Sequence, residues 1–292
     1  MARARRFPGW FLALPAGVWL LLFFAIPILI LGAYSVMPRG VYGGVESGFT
    51  LEHYRRFFDP LYLAILARTV MVALVCTILC LVLGYPVAYA IARAGRWKNL
   101  LLFLVVLPFW TSVLVRTFAM IFLLRDTGLI NTWLLGSGLI DKPLTLLYTS
   151  GAVMAGLVYT FLPFMVLPIY ASLEKHDRTL LEAAAVLGAR PFRGFARVTL
   201  PLSMPGVVAG CLLVFIPALG SFLPSDLLGG AKEVLIGNLV QNQFTAARNW
   251  PFGSAASYVV MIGVLLGVVL YLRSGSVEEG RRESKRVEEV PS

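Results

Sequence analysis

The acidic side chains of this sequence are few and do not form a catalytic set. Glu174, Asp177 and Glu182 follow one another along a polar stretch, without a paired base or a cluster of ligands. The sequence also lacks a GxxxxGK[ST] phosphate loop, an HExxH zinc motif and a GxSxG nucleophile motif. We therefore expect no enzymatic activity and no cofactor in this chain, and any ATP that drives its function must bind to another chain.

The thiols and imidazoles give no metal site. Cys76 and Cys80 share a helix face at positions i and i+4, but without a nearby histidine two thiols make a poor metal site. Both fall in apolar segments, as does Cys211, and we interpret them as small hydrophobic packing residues. His53 and His176 fall in different polar connections and do not pair.

One polar stretch, residues 182–206 with the sequence EAAAVLGARPFRGFARVTLPLSMPG, interrupts the apolar chain. Before it, Thr179 and Glu182 have the spacing of a capping box, which begins a helix. Gly188 stands where a left-handed C-terminal stop would fall, and Pro191 suits the first turn of a second helix. The pattern predicts a helix–turn–helix segment over residues 177–201, which we name the elbow.

The elbow has two interpretations. A basic amphipathic segment lying on anionic lipid would account for its arginines and phenylalanines. A protein docking surface would also account for the small residues, which allow another protein to approach closely, and we favour it. The small residues are Ala183, Ala184, Ala185, Gly188 and Ala189.

Six apolar segments are long enough to cross a bilayer, which takes about 20 residues per helix. The chain is 59% hydrophobic and only 14% charged. We expect an all-α membrane protein with six transmembrane helices, the first retained because it is too long for a signal-peptide core. The predicted spans are Trp10–Met37, Leu63–Ala92, Asn99–Leu124, Leu146–Tyr170, Ser203–Pro224 and Pro251–Arg273. Short helices are predicted in two connections, at Leu51–Phe58 and Leu129–Leu135, and an amphipathic stretch in a third, near Leu235–Phe244.

Lysine and arginine are distributed unevenly between the connections. Sixteen of the 25 lie at the N-terminus, in the second-to-third and fourth-to-fifth connections and in the tail, whereas seven lie in the other three connections. By the positive-inside rule both termini and the elbow are cytoplasmic. This distribution explains the net charge of +10, so we do not expect nucleic-acid binding.

The elbow resembles the EAA motif of the permease subunits of ABC importers, in order and in spacing. The resemblance implies a type I ABC importer permease (MetI-like) fold, in which the elbow is the coupling helix that fits a cleft on a separate ATPase subunit. The coupling residues implied are Glu182, Ala183, Ala184, Gly188, Ala189 and Phe192, and the match continues through Phe195, Leu200, Pro201, Leu202, Pro205 and Gly206.

This resemblance also implies how the chain is divided. Residues 1–37 form the cytoplasmic N-terminus and first helix, 38–62 a periplasmic loop, and 63–273 a five-helix permease core that includes the elbow. Residues 274–292 form a cytoplasmic tail whose mixed charges and lack of apolar residues predict disorder.

A narrower resemblance, to spermidine/putrescine importer permeases of the PotB type, covers most of the chain. It rests on strings in different helices and loops: DPLYLAILARTV (59–70), LCLVLGYPVAYAIAR (79–93), LPFWTSVLVRTFAM (107–120), GLVYTFLPFMVLPIYASLEKHD (156–177) and SDLLGGAKEVLIGNLVQNQF (225–244). It implies ABC ATPase subunits, a second related permease (a heterodimer) and a periplasmic polyamine-binding protein as partners, in the lipid bilayer of a bacterial inner membrane.

A passage for polyamines should offer carboxylates and aromatic faces to the ammonium groups. Asp226, Trp110 and Tyr159 are the candidates, although each has a structural alternative: Asp226 as a loop cap and the two aromatic residues as packing groups. Arg116 would repel a polycation. We expect Arg116 to pair with an acid such as Asp226 or to snorkel to the membrane interface.

Two other functions are considered. The same machine could carry another solute, because sister permeases share the elbow. A secondary transporter or channel would also have six spans, but it predicts a coupling acid or ion site deep in the membrane, and the sequence places no acid near the middle of a span.

Overall fold

The computed structural model describes residues 9–175, 179–230 and 233–288, and so leaves out His176 and Asp177. Within these ranges the chain is helical, and the only β-type pairing is an isolated bridge between Arg39 and Val45. The α-helices are α1 Gly9–Leu20, α2 Ile26–Ser35, α3 Glu52–Phe57, α4 Pro60–Arg93, α5 Lys98–Val106, α6 Val113–Leu124, α7 Leu129–Gly136, α8 Ser150–Glu174, α9 Thr179–Val186, α10 Pro191–Gly194, α11 Leu200–Gly220, α12 Leu223–Gly229, α13 Ile236–Phe244 and α14 Trp250–Glu288. Helices α3 and α7 confirm the two short helices predicted in the connections, and the predicted amphipathic stretch forms α13.

Five helical segments of the described chain are long and apolar enough to cross a membrane. They are Leu14–Ser35, Pro60–Arg93, Ser150–Glu174, Pro191–Gly220 and Trp250–Leu270. A sixth candidate is the helix pair Gly95–Trp110 and Val113–Gly136, which is bent by 95°. The all-helical membrane fold is confirmed, but the third predicted span is not a continuous helix.

The bend follows from the residues between α5 and α6. Pro108 lies in a short 3₁₀ turn that ends at Trp110, and the Thr111 hydroxyl donates to the Pro108 carbonyl at 2.8 Å. Thr111 is extended, and the Ser112 side chain then accepts a hydrogen bond from the Leu114 amide to begin α6. Because one helix ends here and a new cap begins the next, the two helices need not share an axis. The prediction of one helix over Asn99–Leu124 was therefore wrong.

The chain divides into two compact units, Leu63–Leu239 and Met1–Tyr62 with Val240–Ser292. In the first unit, α8 and α11 form the most extensive helix contact. Glycine permits this contact: a Cβ at Gly206 would lie 2.5 Å from the Ser172 Cβ and 2.6 Å from the Pro168 carbonyl oxygen. The buried side chains around this contact include Leu157, Met165, Val166, Ile169 and Val214.

In the other unit, α2 packs against α14. The Tyr258 hydroxyl donates to the Ile28 carbonyl. The Arg56 guanidinium lies 4.9 Å from the centre of the Phe252 ring. The last span thus groups with the first span rather than with the other helices of the predicted 63–273 core.

Helix α14 continues to Glu288, whereas the sequence predicted disorder for residues 274–292. The tail extends a helix that the apolar span has already formed, and it therefore needs no new nucleus. Its many glutamates, lysines and arginines are also good helix formers. Residues 289–292 lie outside the described ranges.

Candidate functional site

The first arm of the elbow, α9, ends as the sequence predicts. Gly188 has φ +79°, and the Ala189 amide donates to the Ala184 carbonyl at 3.0 Å. This bond closes a left-handed C-terminal stop, in which glycine avoids the penalty of a side chain. A Cβ at Gly188 would meet nothing within 4 Å, so the backbone conformation alone favours glycine there.

The second arm differs from the prediction of a separate helix followed by a proline-steered return. Helix α10 leads through a π-helical segment, Phe195–Thr199, directly into α11, and residues 191–220 form one continuous span. Pro201 lies at the start of α11, where the preceding π-turn tolerates its missing amide donor. The elbow is therefore a short helix and a turn joined to the end of a span. Its first two residues, 177 and 178, lie outside the described ranges.

An aromatic cluster fixes the elbow to α4. The Phe195 ring meets the Tyr85 and Tyr89 rings edge to face, with both centroid distances 5.7 Å. The Tyr85 hydroxyl lies 2.9 Å from the Ser203 hydroxyl of α11. The sequence analysis named Phe195 only as part of the motif match, whereas its ring is half-buried and anchors the segment.

The opposite side of the elbow is exposed. Val186, Leu187 and Phe192 are 88%, 87% and 78% exposed, which is unusual for apolar side chains so close together. Glu182, Ala183 and Gly188 are also exposed, whereas Ala184 and Ala189 are half-buried. The sequence analysis identified the alanines and Phe192 but not Val186 and Leu187. Their signal was an apolar pair directly before the glycine stop in a polar connection.

The three passage candidates lie on different elements. Trp110 is 74% exposed at the bend and meets Phe103 edge to face at 5.4 Å. Tyr159 is 44% exposed on α8. Asp226 is exposed at the start of α12, where its carboxylate accepts a hydrogen bond from the Asn238 amide. Among the described residues, no hydrogen bond, ion pair or ring contact joins any two of the three candidates.

Arg116 takes neither of the arrangements proposed for it. Its side chain does not pair with Asp226, and at 8% exposure it does not reach water as a snorkelling arginine would. Instead the guanidinium lies 6.0 Å from the centre of the Tyr159 ring, and its Nε and Nη1 have no hydrogen-bond partner within the described chain. The pairing hypothesis was wrong because Asp226 is already engaged with Asn238 on another element. The snorkelling hypothesis was wrong because the chain itself buries the Arg116 side chain.

Glu233 is a polar residue that the sequence analysis did not single out. Its side chain is 10% exposed, and one carboxylate oxygen lies 2.5 Å from the Arg68 Nη2. The other oxygen accepts a hydrogen bond from the Ser150 hydroxyl at 2.5 Å. The carboxylate thus joins α4 and the start of α8 to the segment before α13. Its signal in the sequence was an acid next to Lys232, in the connection that also contains Asp226.

Comparison with known proteins places this arrangement in a family. Residues 80–275 match the model of the family described as binding-protein-dependent transport system inner membrane component. The chain is 46% identical over 257 residues to the spermidine/putrescine transport system permease protein PotB of Escherichia coli (strain K12), covering 88% of this chain and 94% of that protein. It is 44% identical over 260 residues to the PotB of Haemophilus influenzae, covering 89% of this chain and 91% of that one.

A solved structure shows the fold independently of close sequence identity. It is a bacterial alginate ABC transporter in complex with an alginate pentasaccharide-bound periplasmic protein. One of its chains superposes with a TM-score of 0.67 at 19% identity, covering 89% of this chain and 91% of that chain. The fold, the matched residues and the identity to both relatives agree, and the chain belongs to the family of inner membrane components of binding-protein-dependent transport systems.

Proposed function

We propose that this chain is the transmembrane permease subunit of an ATP-driven ABC importer and forms the passage for polyamines such as spermidine and putrescine. A binding protein outside the membrane delivers the solute, and a separate ATPase subunit hydrolyses ATP. The substrate class follows the two relatives, both of which are named as spermidine/putrescine permeases. The observation that carries the proposal is the exposed apolar tip of the elbow, which stands between two spans of a multi-pass membrane protein.

The elbow is suited to pass motion from an ATPase to the membrane. Val186, Leu187 and Phe192 offer an apolar contact surface of a kind that exposed loops rarely carry without a partner. The Phe195 cluster ties the same segment to α4, and the π-turn joins it to α11. A displacement of the tip is therefore transmitted to two spans. In this proposal Glu182, Ala183, Ala184, Gly188 and Ala189 shape the contact.

The passage candidates favour an assembly of two permeases. Trp110 and Tyr159 are 74% and 44% exposed, so much of their surface is open to contact with a second chain. A related but different permease fits this role, giving a heterodimer. Trp110 is the better aromatic site for an ammonium group, because the Tyr159 ring already has the Arg116 guanidinium 6.0 Å away. Asp226 remains a candidate carboxylate in the first turn of α12.

The proposal includes the orientation of the chain in the membrane and its lack of a cofactor. In this proposal both termini lie in the cytoplasm, which the excess of arginine and lysine in the elbow's connection and in the tail supports. The chain itself needs no cofactor, because the energy comes from the ATPase partner.

The test is ATP-dependent uptake of labelled spermidine and putrescine by vesicles that hold the complete complex and its binding protein. Glu182→Lys and Gly188→Asp should abolish uptake while the binding protein still binds solute. The matched control is Glu52→Lys, which reverses another exposed acid in the first turn of a short helix, α3. Uptake by both elbow variants at the unmutated rate would refute the coupling role. Assembled complex that hydrolyses ATP but moves no polyamine would refute the substrate class alone.

A further inference from the structure

A cavity of about 230 Å³ lies beside the elbow, within the unit Leu63–Leu239. It forms where α4 and α8 end, between α9 and the π-turn that leads into α11. Part of its wall is apolar and is formed by Leu173, Leu180, Leu181 and Leu202. Leu180 and Leu202 are 48% and 37% exposed, so the wall is open to a ligand from the side.

A second cavity, of about 240 Å³, adjoins the first and shares Tyr89, Arg93 and Leu181 with it. It adds Arg190, which is exposed at the start of the second arm. Two arginines thus lie at the rim of one apolar recess. This combination suits a ligand that has an anionic group next to an apolar chain.

The charge at the rim remains positive after its internal pairs are counted. Glu174, the acid among the lining residues, is already engaged by the Lys98 ammonium and the Tyr170 hydroxyl. The Arg93 guanidinium lies 4.2 Å from the centre of the Tyr89 ring and has no carboxylate within ion-pair distance among the described residues. Arg93 is therefore available to an anion.

A buried hydroxyl points independently to a ligand. Thr199 lines the first cavity and is only 8% exposed, and its Oγ1 has no hydrogen-bond partner in the described chain. Other buried helical threonines are satisfied locally: the Thr77 hydroxyl donates to the Ala73 carbonyl at 2.7 Å. Buried polar groups are nearly always paired, so an oxygen of a bound molecule is the natural acceptor for Thr199.

We propose that this recess binds the headgroup of an anionic phospholipid. The phosphate lies between Arg93 and Arg190, a headgroup oxygen accepts from Thr199, and the acyl chain runs along the leucine wall. The recess lies where α4 and α8 end, the level at which a span meets the headgroups, and basic pockets between transmembrane helices select such lipids. Free phosphate shares the anionic chemistry but makes no use of the leucines. Lipid binding here is independent of which solute the chain transports.

The test measures lipid bound to the purified, fully assembled complex by native mass spectrometry, with phosphatidylglycerol and phosphatidylcholine titrated separately. Arg93→Gln should weaken phosphatidylglycerol binding about tenfold, as expected for loss of one charge-assisted contact. Thr199→Val should weaken it several-fold without changing side-chain shape. Arg93→Lys should restore part of the affinity. The matched controls Arg96→Gln, an exposed arginine outside the recess, and Thr77→Val should have no effect.

Three results would overturn the proposal. One is equal phosphatidylglycerol binding by Arg93→Gln, Thr199→Val and the unmutated complex. Another is phosphatidylcholine binding as tight and as sensitive to Arg93 as phosphatidylglycerol binding. The third is displacement of phosphatidylglycerol by inorganic phosphate at the same concentration, which would assign the recess to a free anion. If Arg93→Gln prevents assembly, Arg190→Gln at the exposed rim decides the question by the same measurement.

Discussion

Two phenylalanines of the elbow, three residues apart, should have separable roles. Phe195 makes two edge-to-face ring contacts, with Tyr85 and Tyr89, and each such pair contributes about 0.5–1.5 kcal/mol. Phe195→Ala removes these ring contacts and also the half-buried apolar surface of the ring. It should therefore lower the free energy of local opening by about 2–4 kcal/mol. Hydrogen exchange of backbone amides in residues 179–199 should then accelerate about 30- to 1,000-fold, at 1.36 kcal/mol for each factor of ten.

Phe192 is the matched comparison, because the same substitution at this position removes an exposed ring. Phe192→Ala should change the free energy of local opening by no more than about 0.5 kcal/mol, as is typical of a surface substitution, and hydrogen exchange should stay close to the unmutated rate. It should weaken ATPase binding about 5- to 30-fold, because the ring has about 1–2 kcal/mol of apolar surface still to bury. Phe195→Leu separates ring contacts from burial and should give an intermediate exchange rate. Equal acceleration by Phe192→Ala and Phe195→Ala, or none by either, would refute this reasoning.

Three further substitutions each test a single structural feature. Gly188→Ala should cost about 1–2 kcal/mol through its left-handed backbone and slow ATP-dependent uptake, whereas Gly188→Asn should be tolerated better; equal uptake by both would contradict the strain argument. Glu233→Gln should lower thermal stability by about 1 kcal/mol, since its partner Arg68 is 46% exposed, and a double-mutant cycle with Arg68→Gln should show coupling rather than additivity. Asn131→Ala removes a fully buried amide that makes three hydrogen bonds to backbone groups and should cost about 2–4 kcal/mol in thermal unfolding; a shift no larger than that of Thr132→Ala, at an exposed neighbour, would count against it.

The sequence predicted those features that depend on neighbouring residues and long apolar runs. The glycine stop at Gly188 follows from local backbone chemistry, and the spans follow from the length of the runs. The bend was missed because the length of an apolar run does not show whether the helix changes direction within it. The local signal, Pro108 followed by Thr111 and Ser112, was not interpreted as ending one helix and capping another. The role of Phe195 was missed because its ring partners are about 110 residues away along the chain.

Arg116 is a buried cation whose guanidinium lacks hydrogen-bond acceptors among the described residues. A guanidinium keeps its charge in a protein, and leaving a buried charge unpaired costs several kcal/mol. The Tyr159 ring face, 6.0 Å away, returns only about 0.5–2 kcal/mol, and Nε and Nη1 have no acceptor within the described chain. The sequence hypothesis sought the missing acceptor in Asp226, which Asn238 already holds.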